Sequence, residues 1–259
     1  MDTGLRLSVA CAVAREAGLF ARKAFRNRPR TLSIDFKGEQ DFLSATDSEV
    51  ERLIRTRLQA AFPDDAFFGE EGGGELTDRV WIVDPIDGTA NFLRGNPEFC
   101  VSIGFVREGR TEVGVIYAPM QDELYAAARG HGATLDGEPM RVSGLTDIRQ
   151  STIEAGWSTR LPLPRYVEMV RRLTEVGAGF RRGGSGAIAL ANVAAGRLDA
   201  YCELHMNAWD GVAGLLLIEE AGGYVSDFLG GNGLREGNPI LGCTPALTKV
   251  LREVMGVEV

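Results

Sequence analysis

Apolar residues return along this chain with two periods, one helical and one alternating, and the change from one to the other lays out its elements. Residues 5–25 carry apolar positions at helical spacing, studded with Arg15, Glu16, Arg22 and Lys23, and predict an amphipathic helix. The helical period is clearest over 46–61, where Val50, Leu53, Ile54, Leu58 and Ala61 share a face and Pro63 stops the run. Thr46 and Glu49 stand at the spacing of a capping box. Strands follow at 66–68, 80–83, 100–107 and 111–118, the last two joined by the hairpin signal Glu108-Gly109-Arg110. Residues 123–128 continue the alternation, and Asp136-Gly137 marks another tight turn.

From about 142 to 164 the chain becomes polar, with two prolines and weak periodicity, and the boundary between two lobes is placed there, giving 1–145 and 146–259. Helices are expected beyond it at 165–176, 187–195 and 211–221, the latter two closed by Gly196 and by Gly222-Gly223. Strands near 200–203, 224–226 and 240–243 separate them, and a last helix starts near Pro245. The reading is an alternating mixture of strands and helices without repeats or low-complexity tracts.

Composition narrows the function classes. The 259 residues are 44% apolar and 25% charged, ordinary for a globular protein. Net charge is −8 with no basic tract, which argues against non-specific nucleic-acid binding. The charges within 5–25 fit neither a signal peptide nor a membrane span, and no later run reaches the roughly 18 apolar residues a span needs, so a cytoplasmic protein with no membrane partner is expected. Cys11, Cys100, Cys202 and Cys243 form no C-x-x-C pair and read as reduced, mostly buried thiols. With only His131 and His205 present, a zinc site built on several histidines is excluded, and a metal would be held by oxygen.

The chemistry concentrates in Trp81-Ile82-Val83-Asp84-Pro85-Ile86-Asp87-Gly88-Thr89-Ala90-Asn91-Phe92. An apolar strand delivers Asp84 and Asp87 into a turn, and a helix could open at Thr89. Two further acids share the setting: Glu70, ahead of Gly72-Gly73-Gly74, and Asp210, ahead of an apolar helix. Taken singly, Asp84 is a turn former, Glu71 a solvated charge, and Asp210, Thr89 and Ser185 helix caps. Taken together, Glu70, Asp84, Asp87 and Asp210 in one cleft would repel one another unless cations were present. Two or three divalent ions supply that charge and leave room for a phosphate, which backbone N–H groups at Gly88-Thr89-Ala90 could meet.

The run from Asp84 to Phe92 is similar to the D-P-(I/L)-D-G-T-x-N-F signature of the inositol monophosphatase family. Trp209-Asp210-Gly211-Val212-Ala213-Gly214, followed by Glu220-Ala221-Gly222-Gly223, resembles its second signature. Gly69-Glu70-Glu71 and Ala45-Thr46-Asp47 resemble its G-E-E and A-T-D elements, all in family order over nearly the whole chain.

The resemblance implies an α+β fold, a layered αβαβα sandwich of the sugar-phosphatase type, with most metal ligands in lobe 1–145 and the rest in 146–259. It implies two to three Mg²⁺ ions: the first on Glu70, Asp84 and the Ile86 carbonyl, the second on Asp84, Asp87 and Asp210, and a weaker third by Glu70. Thr89, hydrogen-bonded to Asp47, and Glu70 would orient and deprotonate a water for direct in-line attack. N–H groups of Gly88, Thr89 and Ala90 would hold the phosphate; Gly184, Ser185, Gly186, Ala187 and Glu203 would line the polyol side.

The implied activity is Mg²⁺-dependent, Li⁺-sensitive hydrolysis of a phosphate monoester, with myo-inositol monophosphate first among substrates. Histidinol phosphate, or a broader range of polyol and sugar phosphates, is the alternative. Leu204-His205-Met206-Asn207-Ala208 stands where relatives often carry a Gly-rich or Lys-Pro stretch, and Ser185-Gly186 where inositol-specific members often carry Thr-Ala. His205 reads as a structural or rim residue. The resemblance also implies a homodimer. Because some bacterial members act in RNA-linked transcription complexes, a protein-binding regulatory role stands beside the catalytic one.

Overall fold

Helix α1 (Asp2–Asn27) turns Ala10, Ala14, Ala17 and Ala21 inward, a stripe of small residues that lets its backbone lie close against its neighbours. The computed structural model describes residues 2–27, 35–36, 42–43 and 45–257. A short antiparallel pair, β1 (Asp35–Phe36) and β2 (Phe42–Leu43), precedes α2 (Ala45–Ala61). That helix starts one residue before the expected cap, so Thr46 lies inside its first turn and does not close a capping box.

The first sheet contains β3 (Ala66–Gly69), β4 (Gly73–Gly74) and β5 (Arg79–Asp87). After the six-residue helix α3 (Thr89–Arg94) it continues with β6 (Cys100–Arg107), β7 (Arg110–Ala118) and β8 (Glu123–Ala128). The short strands β9 (Ala133–Leu135) and β10 (Glu138–Pro139) complete it. Its order is β10-β9-β8-β7-β6-β5-β3-β4, antiparallel throughout except where β3 runs parallel to β5.

The second half opens with β11 (Thr152–Ala155), inside the stretch that reads as structureless in sequence. Four residues buried mostly by their neighbours leave no period to detect. There follow α4 (Leu163–Glu175), β12 (Gly179–Arg181), α5 (Gly186–Ala194) and β13 (Ala200–Met206). Then come α6 (Ala208–Glu220), β14 (Tyr224–Val225), α7 (Gly233–Glu236) and β15 (Asn238–Cys243). The last helix, α8 (Thr248–Met255), is offset from the expected start by a 3₁₀ turn at Pro245–Leu247. The second sheet has the order β12-β11-β13-β15-β14.

These elements stack in five layers. Helices α1 and α2 cover one face of the first sheet through Trp81, Val83, Val101, Ile103 and Phe105. Helices α5 and α6 fill the space between the sheets, with Leu190, Val193, Leu216 and Leu217 fully enclosed. Each such side chain contributes about 1.5–3 kcal/mol through burial. Helices α4 and α8 cover the outer face of the second sheet through Met169, Leu173, Leu251 and Val254. The fold is therefore α+β, an αβαβα sandwich.

Helix α6 rests very close on the first sheet. A Cβ placed on Gly114 would come 2.6 Å from the Ala213 carbonyl oxygen, and one on Gly104 2.5 Å from the Val212 side chain. At its far end the Glu220 carboxylate accepts the N–H groups of Gly130 and Gly132, both at 2.7 Å. Sheet contact at one end and a carboxylate clasp at the other fix the helix that carries Asp210.

Candidate active site

Asp84 lies inside β5 and Asp87 is its last residue, and the two face the same way because the strand bulges between them. Asp84 pairs with Ser102 and Asp87 with Cys100, so three steps on β5 match two on β6. The extra residue restores the side-chain direction that a separation of three would invert. Pro85, which has no N–H to give a ladder, fits the irregularity, and the Asp84 Oδ1 accepts the Ile86 N–H at 2.9 Å. Both carboxylates are thereby turned toward the α5–α6 layer, where Asp210 waits.

Asp210 is the third residue of α6, behind the cap position Asn207, so it is not the helix cap that its place before an apolar run suggests. Asp84, Asp87 and Asp210 each offer an oxygen within 4.8 Å of the others, with Asp84 and Asp87 buried. Burial first, then the charges of Glu70, Asp210 and Asp87, push the Asp84 carboxyl well above its ordinary range. Burial and the Asp87 charge push Asp210 up to about 7, against the counteracting hydrogen bond to Asp84 and the charge of Arg160. Burial also raises Asp87, partly offset by hydrogen bonds from Ser185, Ala187 and Gly186. An all-oxygen set of acids that resist shared ionisation fits a hard divalent cation, whose charge would remove the repulsion.

Glu70 enters from β3's end, where its N–H donates to the Val83 carbonyl at 3.1 Å. It lines the same cavity as Asp87 and Asp210 but lies outside the tight group of three. Its turn is shaped by Glu51 of α2, whose carboxylate accepts the N–H groups of Glu71 at 2.8 Å and Gly72 at 3.0 Å. Glu51 carries no motif signal and is legible only once α2 is placed.

Thr89 differs from expectation. Its hydroxyl donates to the Ile86 carbonyl at 3.0 Å, a local i to i−3 bond. The expected bond to Asp47, which is buried near the start of α2, is not formed among the described residues. The nearby carbonyl wins because it lies within the same tight turn. Gly88 adopts φ +97, and a Cβ there would stand 2.9 Å from the Glu98 carbonyl oxygen, so glycine is required. Gly88, Thr89 and Ala90 lead into α3, whose first backbone donor to Gly88 is the Phe92 N–H.

The cavity itself, of about 220 Å³, opens between the sheets. Gly184, Ser185, Gly186 and Glu203 line it with Glu154, Trp157, Arg160, Arg182 and His205. Ala187 does not: its N–H donates to Asp87 Oδ2 at 2.7 Å, beside the Ser185 hydroxyl at 2.5 Å. The loop expected to face a polyol thus also grips a carboxylate of the acidic group. Ser185 keeps its capping role as well, accepting the Ile188 N–H at 3.3 Å. Glu203 is buried, pushed up to about 8 by desolvation, and receives the Tyr201 hydroxyl at 2.5 Å. His205 Nε2 lies 2.8 Å from the Glu236 carbonyl, a rim position.

Glu154 was missed by motif reading, because it sits in the polar stretch that hid β11. It is 2% exposed, accepts the Gly183 N–H and meets Arg181 Nε at 3.0 Å. Asn91 adds a second hold, donating to the Gly183 carbonyl at 2.9 Å and the Glu98 carbonyl at 2.7 Å. Together they brace the 181–187 loop from β11 and from α3. The four cysteines are free, Cys11 half-buried and the rest buried; Cys100 lies 3.9 Å from Asp87.

An acidic cavity sunk between the sheets of an αβαβα sandwich is the architecture of the sugar-phosphatase type of fold. Residues 5–255 match the inositol monophosphatase family, and the chain belongs to it. It is 38% identical over 258 residues to Nus factor SuhB of Pseudomonas aeruginosa, covering 96% of this chain and 95% of that protein. Nus factor SuhB of Escherichia coli K12 is 39% identical over 251 residues, 95% of this chain and 93% of that protein. Among solved structures, the extragenic suppressor protein suhB of Bartonella henselae superposes with a TM-score of 0.90 at 33% identity, covering 98% of this chain and 100% of that one. The Thermotoga maritima IMPase gives 0.87 at 31% identity, with 99% and 97% covered.

Proposed function

We propose that this chain hydrolyses phosphate monoesters with Mg²⁺, taking myo-inositol monophosphate as substrate and releasing inositol and phosphate. The observation that carries this reading is the group Asp84, Asp87 and Asp210, the first two buried, each offering one oxygen within 4.8 Å of the others. Glu70 and the Ile86 carbonyl complete the proposed ligand set for two to three ions. Bound Mg²⁺ would neutralise the carboxylates, draw in the phosphate dianion and make a water more acidic.

The chain's own groups divide the remaining work. Glu70 takes the proton of the attacking water, and Thr89, with its hydroxyl hydrogen committed to a carbonyl, offers its oxygen to orient that water. Asp47, a buried carboxylate in the first turn of α2, keeps its proposed place among the catalytic residues. N–H groups of Gly88, Thr89 and Ala90 receive the phosphate oxygens. Glu203 accepts from substrate hydroxyls, with Gly184, Ser185, Gly186 and Ala187 forming the adjoining wall. A Cβ on Gly186 would come 2.5 Å from Met206 Cε and 3.1 Å from the Tyr201 hydroxyl, so glycine keeps this wall recessed.

Phosphate release should be followed over inositol monophosphates, histidinol phosphate, sugar bisphosphates and 3′-phosphonucleotides, ranked by kcat/KM with and without Mg²⁺ and Li⁺. The reading expects Mg²⁺-dependent release, highest on an inositol monophosphate and inhibited by Li⁺. Histidinol phosphate at the top would move the assignment to that reaction; release from none would overturn it.

A second reading rests on the naming of relatives at 38–39% identity as Nus factors. It makes this chain a protein-binding subunit of a transcription complex, recruited by a protein because a net charge of −8 disfavours direct contact with nucleic acid. A partner captured equally by the intact protein and by Asp87→Asn would support it. We also propose a homodimer, which light scattering tests. No helix among the described residues is long and apolar enough to cross a membrane.

A further inference from the structure

The turn that carries Glu70 has little in its own sequence to stiffen it. Residues 69–74 include Gly69, Gly72, Gly73 and Gly74, with Gly73 at φ +57 and Gly74 at φ +142. Its backbone is held from outside, by one turn of α2. The buried Glu51 carboxylate accepts the Glu71 N–H on Oε2 at 2.8 Å and the Gly72 N–H on Oε1 at 3.0 Å. Arg55, four residues on, donates from one nitrogen to Glu51 Oε1 at 3.2 Å and to the Gly73 carbonyl at 3.0 Å. Its guanidinium also lies 4.2 Å from the centroid of the Phe67 ring, on the strand that enters the turn. The fit is tight: a Cβ on Gly72 would come 2.7 Å from Glu51 Oε1, and one on Gly69 would collide with the same carboxylate. Burying Glu51 is costly, and these charge-assisted bonds offset the cost. The apolar neighbours Val50, Ile54 and Leu58 supply the core contact of α2 without it.

We propose that Glu51 and Arg55 are positioning residues for the reaction: together they lock the 69–74 turn and so hold the Glu70 carboxylate toward the cavity it shares with Asp87 and Asp210. The inference rests on the phosphatase reading, in which Glu70 is both a Mg²⁺ ligand and the acceptor of the water's proton. Asp84 and Asp87 take their direction from the bulge of β5, and Asp210 from the first turn of α6. Glu70 takes its placement from α2, through this clamp. Neither Glu51 nor Arg55 enters the chemistry; both act through Glu70. A group displaced by about 1 Å at a reacting centre costs about a hundredfold in rate, so a loosened turn is felt in kcat.

The test is a double-mutant cycle on the full chain, with the parent, Glu51→Ala, Glu51→Gln, Arg55→Ala, Glu70→Gln and Glu51→Ala combined with Glu70→Gln. Each protein is titrated with Mg²⁺ by calorimetry, melted, and assayed for phosphate release from inositol 1-phosphate. Glu51→Ala should lose about ten- to a hundredfold in kcat and several-fold in Mg²⁺ affinity. Its KM for the ester should stay within about twofold of the parent's. Glu51→Gln, which keeps one acceptor oxygen, and Arg55→Ala should show smaller losses of the same kind. In the Glu70→Gln background, Glu51→Ala should weaken Mg²⁺ binding no further, because it acts through a group already removed. Additive losses in the double variant would overturn the proposal. So would Glu51→Ala and Arg55→Ala proteins that melt earlier yet keep the parent's kcat and Mg²⁺ affinity, which would give the clamp a role in stability alone. Should Glu51→Ala fail to fold, Arg55→Ala takes its place in the cycle. Should the parent bind Mg²⁺ but hydrolyse no ester, the phosphatase reading fails and the calorimetric cycle still decides the positioning; a parent that binds no Mg²⁺ overturns both.

Discussion

Ser185 donates a 2.5 Å hydrogen bond to Asp87 across 98 positions of sequence, joining the cap of α5 to the bulge of β5. One hydroxyl thereby holds a carboxylate of the acidic group and starts the helix that lines the substrate side. Removing it should separate two effects. Ser185→Ala should lower stability by about 1 kcal/mol through the lost cap. It should also weaken apparent Mg²⁺ affinity about tenfold, because the carboxylate loses an orienting partner. Denaturant melts and Mg²⁺ titrations of phosphate release check the two separately, and unchanged Mg²⁺ affinity would remove Ser185 from the site.

The acidic group makes stability depend on pH in a definite direction. Asp84, Asp87 and Asp210 all hold protons more tightly in the fold than in the unfolded chain, Asp210 rising from 3.8 to about 7. The metal-free fold therefore binds more protons than the unfolded chain across that window, and its stability falls as pH rises through it. Bound Mg²⁺ should cancel the penalty. Melting temperatures in EDTA and in Mg²⁺, compared between about pH 5 and pH 8, should draw apart as pH increases. A gap that is constant or narrows would contradict the electrostatic account.

Gly114 sets how close α6 lies on the sheet. Gly114→Ala would drive a methyl into the Ala213 carbonyl, 2.6 Å away, and lift the helix that carries Asp210. The expected loss is about 1–3 kcal/mol of stability. Weaker Mg²⁺ dependence should accompany it, although Gly114 touches no ligand. A variant as stable and active as the parent would show that the sheet contact does not fix Asp210.

Glu154 should act by holding the loop ahead of Ser185. Glu154→Gln keeps an oxygen for the Gly183 N–H, while Glu154→Ala leaves that buried donor without its partner. The alanine variant should lose about tenfold in kcat/KM and the glutamine variant about threefold or less. Equal losses would assign the effect to charge, with no part for the loop's geometry.

Helix α2 was legible because burial on one face writes a helical period through Val50, Ile54 and Leu58. Strands β5 to β8, enclosed between two helical layers, were legible as apolar runs such as Val80 to Val83 set between turn signals. What escaped was decided by contacts between distant segments. Strand β11 is short and enclosed, so Ile153 and Glu154 read as part of a polar linker. The bulge that aligns Asp84 with Asp87 depends on pairing to Cys100 and Ser102, which no local pattern records. Asp210 was visible as an acid before an apolar helix, but its position inside the first turn was not. The family resemblance pairs Thr89 with Asp47, whereas its own turn supplies the acceptor.

Whether Asp84, Asp87 and Asp210 form a Mg²⁺-dependent phosphatase centre is decided by Asp87→Asn. The variant keeps the shape of the side chain and its bonds to Ser185 and Ala187 in reach while removing one charge from the group. Phosphate release from inositol monophosphate should be measured across a Mg²⁺ series, with circular dichroism and thermal melts showing that the fold is intact. The account predicts a folded protein with phosphate release abolished. A folded Asp87→Asn protein that releases phosphate at the parent's rate and with the parent's Mg²⁺ dependence would contradict it.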